Sequence, residues 1–294
     1  MNRLNFTHMK KRFVRIKRNF FETDNKLIYL IQKILLLSNL KLRFKIKISD
    51  NSFIMYNCSK EAISFFLNKT FKLEERSFFF NFLNAGDTFV DVGANIGAFS
   101  IIAKEKVGNN GKCYAFEPNP KVYNEMIANF KANNYDIEAF NCPLSNTNND
   151  TNFYIRKYSD DFGSLSQKAH DGDVVLKVKA MRADSVIDLA HTIDLVKIDV
   201  EGAEFFVLQG FGDVLKRVKF IKFENHFELF NCFNIQFIDI YSLLRNYDFE
   251  IYQLKTKMLM KLHQDYDSSK REDLFALRDK DIDEFIERTG YEFT

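Results

Sequence analysis

Short continuous runs of apolar residues alternate with longer stretches of mixed polarity through the middle of this chain. Such runs predict strands that are buried on both faces, and apolar residues at helical spacing between them predict helices. The predicted strands span 88–92, 112–116, 137–140, 194–199 and 218–223, and the predicted helices span 74–83, 98–107, 119–133, 203–209 and 237–246. Strands that alternate with helices indicate a parallel sheet covered by helices on both faces, which is an α/β fold.

The C-terminal part of the chain departs from this alternation. Two further strands at 250–254 and 274–278 would form an antiparallel pair that closes the sheet. We predict that the polar stretch 255–272 between them is a loop. A short helix is predicted at 281–288, after the last strand.

The N-terminal part carries a different pattern. Alternating polar and apolar residues at 41–48 and 52–56 predict a hairpin. We therefore divide the chain into a basic N-terminal extension at 1–48, a hairpin and helix at 49–86, and an α/β domain at 87–294.

A glycine-spaced turn follows the first predicted strand of the α/β domain. Residues 91–97 read DVGANIG, and the next strand ends in Glu117. Gly93 and Gly97 lack a Cβ atom, so the backbone can adopt positive φ angles and a ligand can approach it closely. The helix that follows offers N–H groups at its N-terminus to a polar ligand. This succession of strand, glycine turn, helix and acidic strand end indicates a nucleotide-binding loop.

The spacing of the glycines distinguishes between two classes of cofactor. A dinucleotide site usually reads G-x-G-x-x-G, whereas this turn reads G-x-x-x-G after Asp91. The second form is typical of class I methyltransferases, whose turn contacts the methionine and ribose of S-adenosylmethionine. A carboxylate only accepts hydrogen bonds, so Glu117 is suited to both ribose hydroxyls. A tight turn without a ligand is the simpler alternative, which the presence of both Asp91 and Glu117 disfavours.

Four acidic residues fall at the carboxyl ends of predicted strands: Asp91, Glu117, Asp199 and Glu224. In an open α/β sheet, ligands bind beyond these ends, where the strand order reverses. We therefore expect the four carboxylates to gather at one edge of the sheet and to form the functional site.

Charge is distributed unevenly along the chain, although the formal net charge is only +2. Residues 1–48 hold 13 Lys and Arg against two acids, and the remainder is acidic. Within this basic arm, the apolar stretch 27–37 is too short to span a bilayer and predicts an amphipathic helix. The helix would either contact an anionic membrane surface or pack on protein, and both interpretations stay open.

Four cysteines without C-x-x-C spacing suit a reducing compartment, so we expect a cytoplasmic protein, peripheral to a membrane if the arm binds lipid.

With these motifs assembled, the chain resembles the FkbM-type methyltransferase family over about residues 71–278. The resemblance is carried by the segments DTFVDVGANIGAFS (87–100), YAFEPNP (114–120), CPLSN (142–146), GSLS (163–166) and DLVKIDVEGAE (194–204). It implies a Rossmann-like class I methyltransferase fold with a mostly parallel seven-stranded sheet. It also implies S-adenosyl-L-methionine as the cofactor and O-methylation of a sugar, a glycan or another small molecule.

The resemblance further implies which residues bind the cofactor. These residues are Asp91, Gly93, Asn95, Gly97, Glu117, Ser145 and Asn146. Ser145 and Asn146 occupy a loop that would face the adenine ring, where members of the family often carry Ser-Asp. Asn146 keeps a carbonyl acceptor but lacks the charge, and ordinary turn chemistry also explains this loop.

Methylation of a hydroxyl group requires alignment of the nucleophile and removal of its proton. Asp199 and Glu201 at one strand end and His226 after the next strand are the candidate catalytic residues. Asp199 with Glu224 and Asn225 would also offer ligands to Mg²⁺, as in catechol-type methyltransferases. We predict a site without a metal, and Mg²⁺ is the alternative.

Three other functions are compatible with parts of the sequence. The basic arm would attract a nucleic-acid acceptor, but no base-binding motif of the N-P-P-Y type occurs and the α/β domain is acidic. A non-catalytic, membrane-recruited cofactor-binding protein would not need the acidic strand ends. NAD-dependent oxidoreduction is disfavoured by the glycine spacing. We therefore expect a small-molecule or glycan acceptor, with nucleic acid as a disfavoured partner.

Overall fold

The computed structural model describes residues 44–55, 60–68, 70–155, 163–165, 174–188, 191–255, 257–267 and 269–293. The amphipathic helix predicted at 27–37 lies outside these described residues. Among the helices within them, none is long and apolar enough to cross a membrane.

The described residues form 14 strands and eight α-helices. The strands are β1 Lys45–Lys47, β2 Phe53–Met55, β3 Thr88–Val92, β4 Lys112–Phe116, β5 Glu138–Phe140, β6 Asp150–Ile155, β7 Gly163–Ser164, β8 Val174–Lys179, β9 Ile193–Ile198, β10 Val218–Asn225, β11 Glu250–Lys255, β12 Met258–Lys261, β13 Glu272–Leu277 and β14 Glu292–Phe293. The helices are α1 Lys60–Leu67, α2 Leu73–Phe82, α3 Ala98–Val107, α4 Pro120–Ala132, α5 Glu204–Phe211, α6 Phe227–Phe230, α7 Phe237–Arg245 and α8 Ile282–Thr289.

Nine of these strands form the central sheet, in the order β14-β12-β11-β13-β10-β9-β3-β4-β5. The strands from β10 to β5 run parallel, and β13 pairs antiparallel with both β10 and β11. The predicted α/β sheet and its antiparallel pair are confirmed, but the predicted count of seven is too low. The two additional strands, β12 and β14, extend the edge beyond β11.

The predicted loop at 255–272 is wrong in its first part, because β12 pairs antiparallel with β11 there. Of the four residues of β12, only Leu259 is buried. A short strand near the edge of a sheet with one buried side chain leaves little hydrophobic pattern, which is why the sequence did not reveal it.

The helices cover both faces of the sheet, as predicted. In β3 the side chain of Phe89 joins the apolar layer that contains α2 and α3. Val90 and Val92 join the opposite layer, which contains α5 and α7. This division follows from the alternation of side chains along a strand.

The strand order reverses between β3 and β9, because β4 and β5 follow on one side and β10 follows on the other. The carboxyl ends of β3 and β9 therefore flank a crevice of the kind in which α/β proteins bind ligands. The two ends are also bonded to each other, since the Asp199 amide donates to the Val92 carbonyl at 3.0 Å. This contact brings the glycine turn and the turn after β9 side by side.

Two smaller sheets lie outside the central one. The predicted N-terminal hairpin is confirmed by the antiparallel pairing of β1 with β2. Its first strand lies before residue 49, so the hairpin crosses the expected boundary between the first two segments. A three-stranded antiparallel sheet, ordered β7-β6-β8, occupies the chain between β5 and β9, where no element had been predicted.

Candidate active site

A cavity of about 360 Å³ lies in the crevice at the carboxyl ends of β3 and β9. Its volume falls within the range of small-molecule sites. Four parts of the chain line it: α1 with the loop that follows, the glycine turn after β3, the segments that follow β4 and β5, and the turn after β9. Phe99 of α3, residues of the three-stranded sheet with the adjacent Leu165, and Arg271 complete the lining.

The two glycines of the turn are required by the packing of the protein itself. Gly93 has a φ of +78°, and a Cβ atom there would lie 1.9 Å from the carbonyl oxygen of Asp199. Gly97 has a φ of +81°, and its Cβ atom would lie 2.4 Å from the ring of Phe130 on α4. Gly93 lines the cavity, whereas Gly97 lies at the start of α3 and against α4. The turn therefore presents bare backbone to the cavity at Gly93, where a ligand can approach closely.

Glu117 lines the cavity with both carboxylate oxygens held in place. Its Oε2 accepts from the amide of Asn95 at 3.0 Å, and its Oε1 accepts from the amide of Asn119 at 2.8 Å. Burial raises the pKa of Glu117 to about 7, against the lowering effect of these two N–H groups. Each oxygen keeps a further lone pair, so the carboxylate can accept from a vicinal diol. Asn95, at φ +52°, also lines the cavity and fixes the orientation of Glu117.

Asp91 is fully buried and lies beneath the glycine turn. Its Oδ2 accepts from the hydroxyl of Ser100 at 2.6 Å, and its Oδ1 lies 3.1 Å from the ammonium of Lys197. Lys197 also donates to the carbonyl of Gly93 at 3.2 Å. Lys197 lines the cavity and Asp91 does not, so the structure gives Asp91 a role in holding the turn. The sequence signal for this pair was a lysine between Val196 and Ile198 within a buried strand.

Asp199 and Glu201 line the cavity on the turn after β9. Burial acts to raise the pKa of Asp199, but the nearby cations outweigh it and hold the pKa below its usual value. These cations are Lys197, Lys72, Lys222 and Arg271. Asp199 is therefore ionised at neutral pH and accepts hydrogen bonds.

A buried carboxylate holds the turn that carries Asp199 and Glu201. The Oε1 atom of Glu204 accepts from the amides of Val200 at 3.1 Å and Gly202 at 3.3 Å. Burial raises the pKa of Glu204 to about 8, although these N–H groups lower it. Glu204 therefore positions this turn through two hydrogen bonds, in addition to the favourable place of an acidic residue at the start of α5.

His226 does not line the cavity, but it lies beside a residue that does. Ligand atoms of Glu201, Glu224 and His226 all lie within 4.8 Å of one another, a group that is able to hold a metal ion. The Oε1 atom of Glu224 accepts from Arg271 at 2.6 Å. Burial and the neighbouring Asp199 raise the pKa of Glu224 to about 7, so a protonatable carboxyl lies behind the cavity wall.

Ser145 and Asn146 are not among the residues that line the cavity, and both are bonded to other parts of the protein. The amide of Ser145 donates to the carbonyl of Met181 at 2.9 Å. The side-chain nitrogen of Asn146 donates to Gln209 Oε1 at 2.9 Å. The residues just before them in this loop, 142–144, line the cavity instead.

Sequence motifs did not reveal the residues of α1 and the loop after it that line the cavity. These residues are Glu61, Ser64, Phe71 and Lys72. This segment carries no recognisable spacing, and its position at the crevice depends on tertiary packing. Gly163 and Leu165 also line the cavity, and they belong to the GSLS segment that carries the resemblance, although no site role was predicted for them.

Comparisons with known proteins agree with this architecture. The family model "Methyltransferase FkbM domain" matches residues 91–251, which is more than half of the chain. The chain is 29% identical over 148 residues to the hexuronic acid methyltransferase AglP of Haloferax volcanii, covering 48% of this chain and 56% of that protein. It is 31% identical over 153 residues to the methyltransferase sdnD of Sordaria araneosa, covering 41% and 59%. The matches thus span less than two thirds of these relatives.

Solved structures resemble the chain more distantly. TYW2 of M. jannaschii, solved in complex with AdoMet, has a TM-score of 0.43 and 13% identity, covering 81% of this chain and 86% of that chain. A SAM-dependent O-methyltransferase from Thermotoga maritima has a TM-score of 0.36 and 13% identity, covering 70% and 64%. The fold assignment rests on the strand order described above and on the family match.

Proposed function

This chain belongs to the FkbM methyltransferase family, and we propose that it transfers the methyl group of S-adenosyl-L-methionine to a hydroxyl group of a sugar or glycan. The observation that carries the proposal is the cavity at the reversal of strand order. It joins a carboxylate suited to a ribose, Glu117, to a pair of carboxylates suited to an acceptor hydroxyl, Asp199 and Glu201.

The residues of the cavity fit this cofactor. Phe116, Pro118 and the segment 142–144 give the part of the cavity beside Glu117 an apolar wall, which suits an adenine ring. The fixed carboxylate of Glu117 suits the ribose diol, and the bare backbone at Gly93 suits close approach by the rest of the molecule. When bound, S-adenosylmethionine supplies an electrophilic methyl group on a positively charged sulfur. The predicted adenine contacts of Ser145 and Asn146 and a direct cofactor contact of Asp91 and Gly97 receive no support from the cavity lining.

Methyl transfer releases one proton from the acceptor hydroxyl, and a residue on the acceptor side of the site must accept it. The acceptor oxygen forms a bond to the methyl carbon, the carbon–sulfur bond breaks with its electron pair passing to sulfur, and the hydroxyl proton passes to a protein group. Asp199 is ionised and orients the hydroxyl by accepting its hydrogen bond. We assign proton acceptance to Glu201, with His226 beside it to take up the proton. Orientation of the hydroxyl toward the methyl group supplies most of the rate.

Two features support a sugar as the acceptor. A hexuronic acid methyltransferase is among the relatives of the chain. Arg271 lines the cavity close to Asp199 and Glu201, and more than half of its side chain is exposed. A guanidinium in this position suits the carboxylate of an acidic sugar, which it can hold by two parallel hydrogen bonds. We therefore propose a hexuronic acid or a glycan that contains one.

The test is transfer of a labelled methyl group from S-adenosylmethionine by the full chain. Acceptors would be a glycan with a terminal hexuronic acid, the matched glycan with a neutral hexose, and single-stranded RNA. We expect labelling of the first, weaker labelling of the second and none of the third. Labelling of RNA alone, or binding of NAD in place of S-adenosylhomocysteine, would contradict the proposal.

A further inference from the structure

The cavity has a second charged end that the proposed mechanism does not use. Glu61 on α1 and Lys72 in the loop before α2 both line it. The carboxylate and the ammonium lie 3.4 Å apart, and 11% and 31% of the two side chains are exposed. Both residues precede residue 91, where the match to the family model begins. They therefore lie outside the segment that the family model matches.

The local structure holds this pair over the glycine turn. Lys72 adopts a left-handed conformation at φ +50° and ends the connection between α1 and α2. Its ammonium lies 4.9 Å from the centre of the Phe99 ring, and Lys197 lies 5.6 Å from the same ring. Phe99 belongs to the first turn of α3, directly after the glycine turn. The Glu61–Lys72 pair thus lies near Lys197 and Asp199, whose charges act on both of its members.

Electrostatics at this end favour a ligand that carries both signs of charge. Burial raises the pKa of Glu61, and Lys72 and Lys197 act to lower it. Burial acts to lower the pKa of Lys72, but Glu61, Glu75 and Asp199 outweigh this effect and raise it. A single charge of either sign would meet a like charge here, whereas a zwitterion can place each of its charges beside an opposite one.

We infer that Glu61 and Lys72 bind the amino-acid end of S-adenosylmethionine, with Lys72 on its carboxylate and Glu61 on its ammonium. This inference rests on the proposed function. The apolar wall beside Glu117 suits the adenine, so the methionine portion extends from the ribose toward the charged end. There the two charges of the amino acid alternate with those of the Glu61–Lys72 pair.

Binding of truncated ligands to the full chain tests this assignment. Calorimetry would compare S-adenosylhomocysteine with 5′-methylthioadenosine, which lacks the amino-acid end. The variants are Glu61→Gln, Lys72→Met and Lys112→Met, the last being a control in an exposed ion pair with Asp188. We expect Glu61→Gln and Lys72→Met to weaken S-adenosylhomocysteine binding roughly ten- to hundredfold, as for loss of a charge-assisted hydrogen bond. Binding of 5′-methylthioadenosine should match the wild type, which also demonstrates that the variants are folded.

Two further ligands separate the roles of the two residues. S-Adenosylhomocysteine without its carboxylate should bind wild type and Lys72→Met equally, and the analogue without its amino group should bind wild type and Glu61→Gln equally. Unchanged binding of S-adenosylhomocysteine by both variants, or an equal loss for 5′-methylthioadenosine, would overturn the inference. If the wild type binds neither S-adenosylhomocysteine nor 5′-methylthioadenosine, the proposed function itself is overturned.

Discussion

The ammonium of Lys197 lies 3.1 Å from the carboxylate of Asp91, and the two residues stand in register on the neighbouring strands β9 and β3. Only 3% and 0% of their side chains are exposed. The pair therefore joins the two strands at the point where the strand order reverses. Because Lys197 also bonds to the carbonyl of Gly93, the same contact holds the glycine turn.

Removal of one partner of this pair should destabilise the protein strongly. Lys197→Met leaves a buried carboxylate at Asp91 without its cation, at a cost of about 3–5 kcal/mol in the free energy of unfolding. Urea unfolding followed by circular dichroism measures this change in the free energy of unfolding. The double variant Asp91→Leu with Lys197→Met should be more stable than Lys197→Met alone, because no charge is then left buried. Equal stability of the single and double variants would show that the pair does not act as a unit.

Replacement of Glu117 should weaken cofactor binding with little effect on the fold. Glu117→Ala removes the acceptor proposed for the ribose diol, and we expect a roughly ten- to hundredfold loss of S-adenosylhomocysteine affinity. Calorimetry measures the affinity, and a thermal melt checks the fold. Affinity equal to that of the wild type would refute the ribose assignment.

The affinity for S-adenosylhomocysteine should also depend on pH through Glu117. Its pKa is raised to about 7 in the free protein, and only the ionised form accepts from both ribose hydroxyls. Binding should therefore tighten as the pH rises from 6 to 8. The matched variant Glu117→Gln does not titrate, so its affinity should lack this dependence. The same pH profile in both proteins would assign the titration to another group.

Glu204 should make the protein less stable as the pH rises. Its pKa is about 8 in the folded protein and near 4.5 when unfolded, so the folded state binds more protons between these values. The stabilisation of the folded state that results from this pKa difference is fully present below pH 4.5 and is lost as the pH rises through 8. Glu204→Gln retains an oxygen that can accept from Val200 and Gly202 but does not titrate. We expect the stability difference in favour of Glu204→Gln to grow from pH 5 to pH 8 in urea unfolding experiments; a constant difference would contradict this.

Methyl transfer should not require a divalent cation. Glu224 is bound by Arg271 at 2.6 Å, which places a fixed positive charge beside the group formed by Glu201, Glu224 and His226. A cation there would be repelled by the guanidinium. Turnover should be the same with EDTA as with added Mg²⁺, measured as transfer of labelled methyl groups. Loss of turnover in EDTA and its recovery with Mg²⁺ would establish a metal site at this group.

The basic arm should affect binding to membranes and leave methyl transfer unchanged. We expect removal of residues 1–40 to leave methyl transfer in solution intact, because none of the described lining residues belongs to that segment. If the arm binds anionic lipid, the truncated chain should no longer sediment with phosphatidylserine vesicles while the full chain does. Phosphatidylcholine vesicles are the control, and equal sedimentation of both chains would exclude this role for the arm.

Local sequence patterns were sufficient for the central strands and helices. The strands β3 and β4 and the helix α3 begin and end at the predicted residues, because continuous apolar runs and glycine turns mark them sharply. The strand β12, next to the edge of the central sheet, and the three-stranded sheet were missed, since few of their residues are buried.

The sequence by itself determined the α/β class, the glycine turn and the acidic strand ends, because these depend on residues close together along the chain. Only the tertiary structure decided which of those residues face the cavity. It placed Glu117, Asp199 and Glu201 on its wall and directed Asp91 into a buried pair with Lys197. It also brought Glu61 and Lys72 over the crevice. Side-chain direction and long-range packing depend on contacts between distant segments, which no local spacing records.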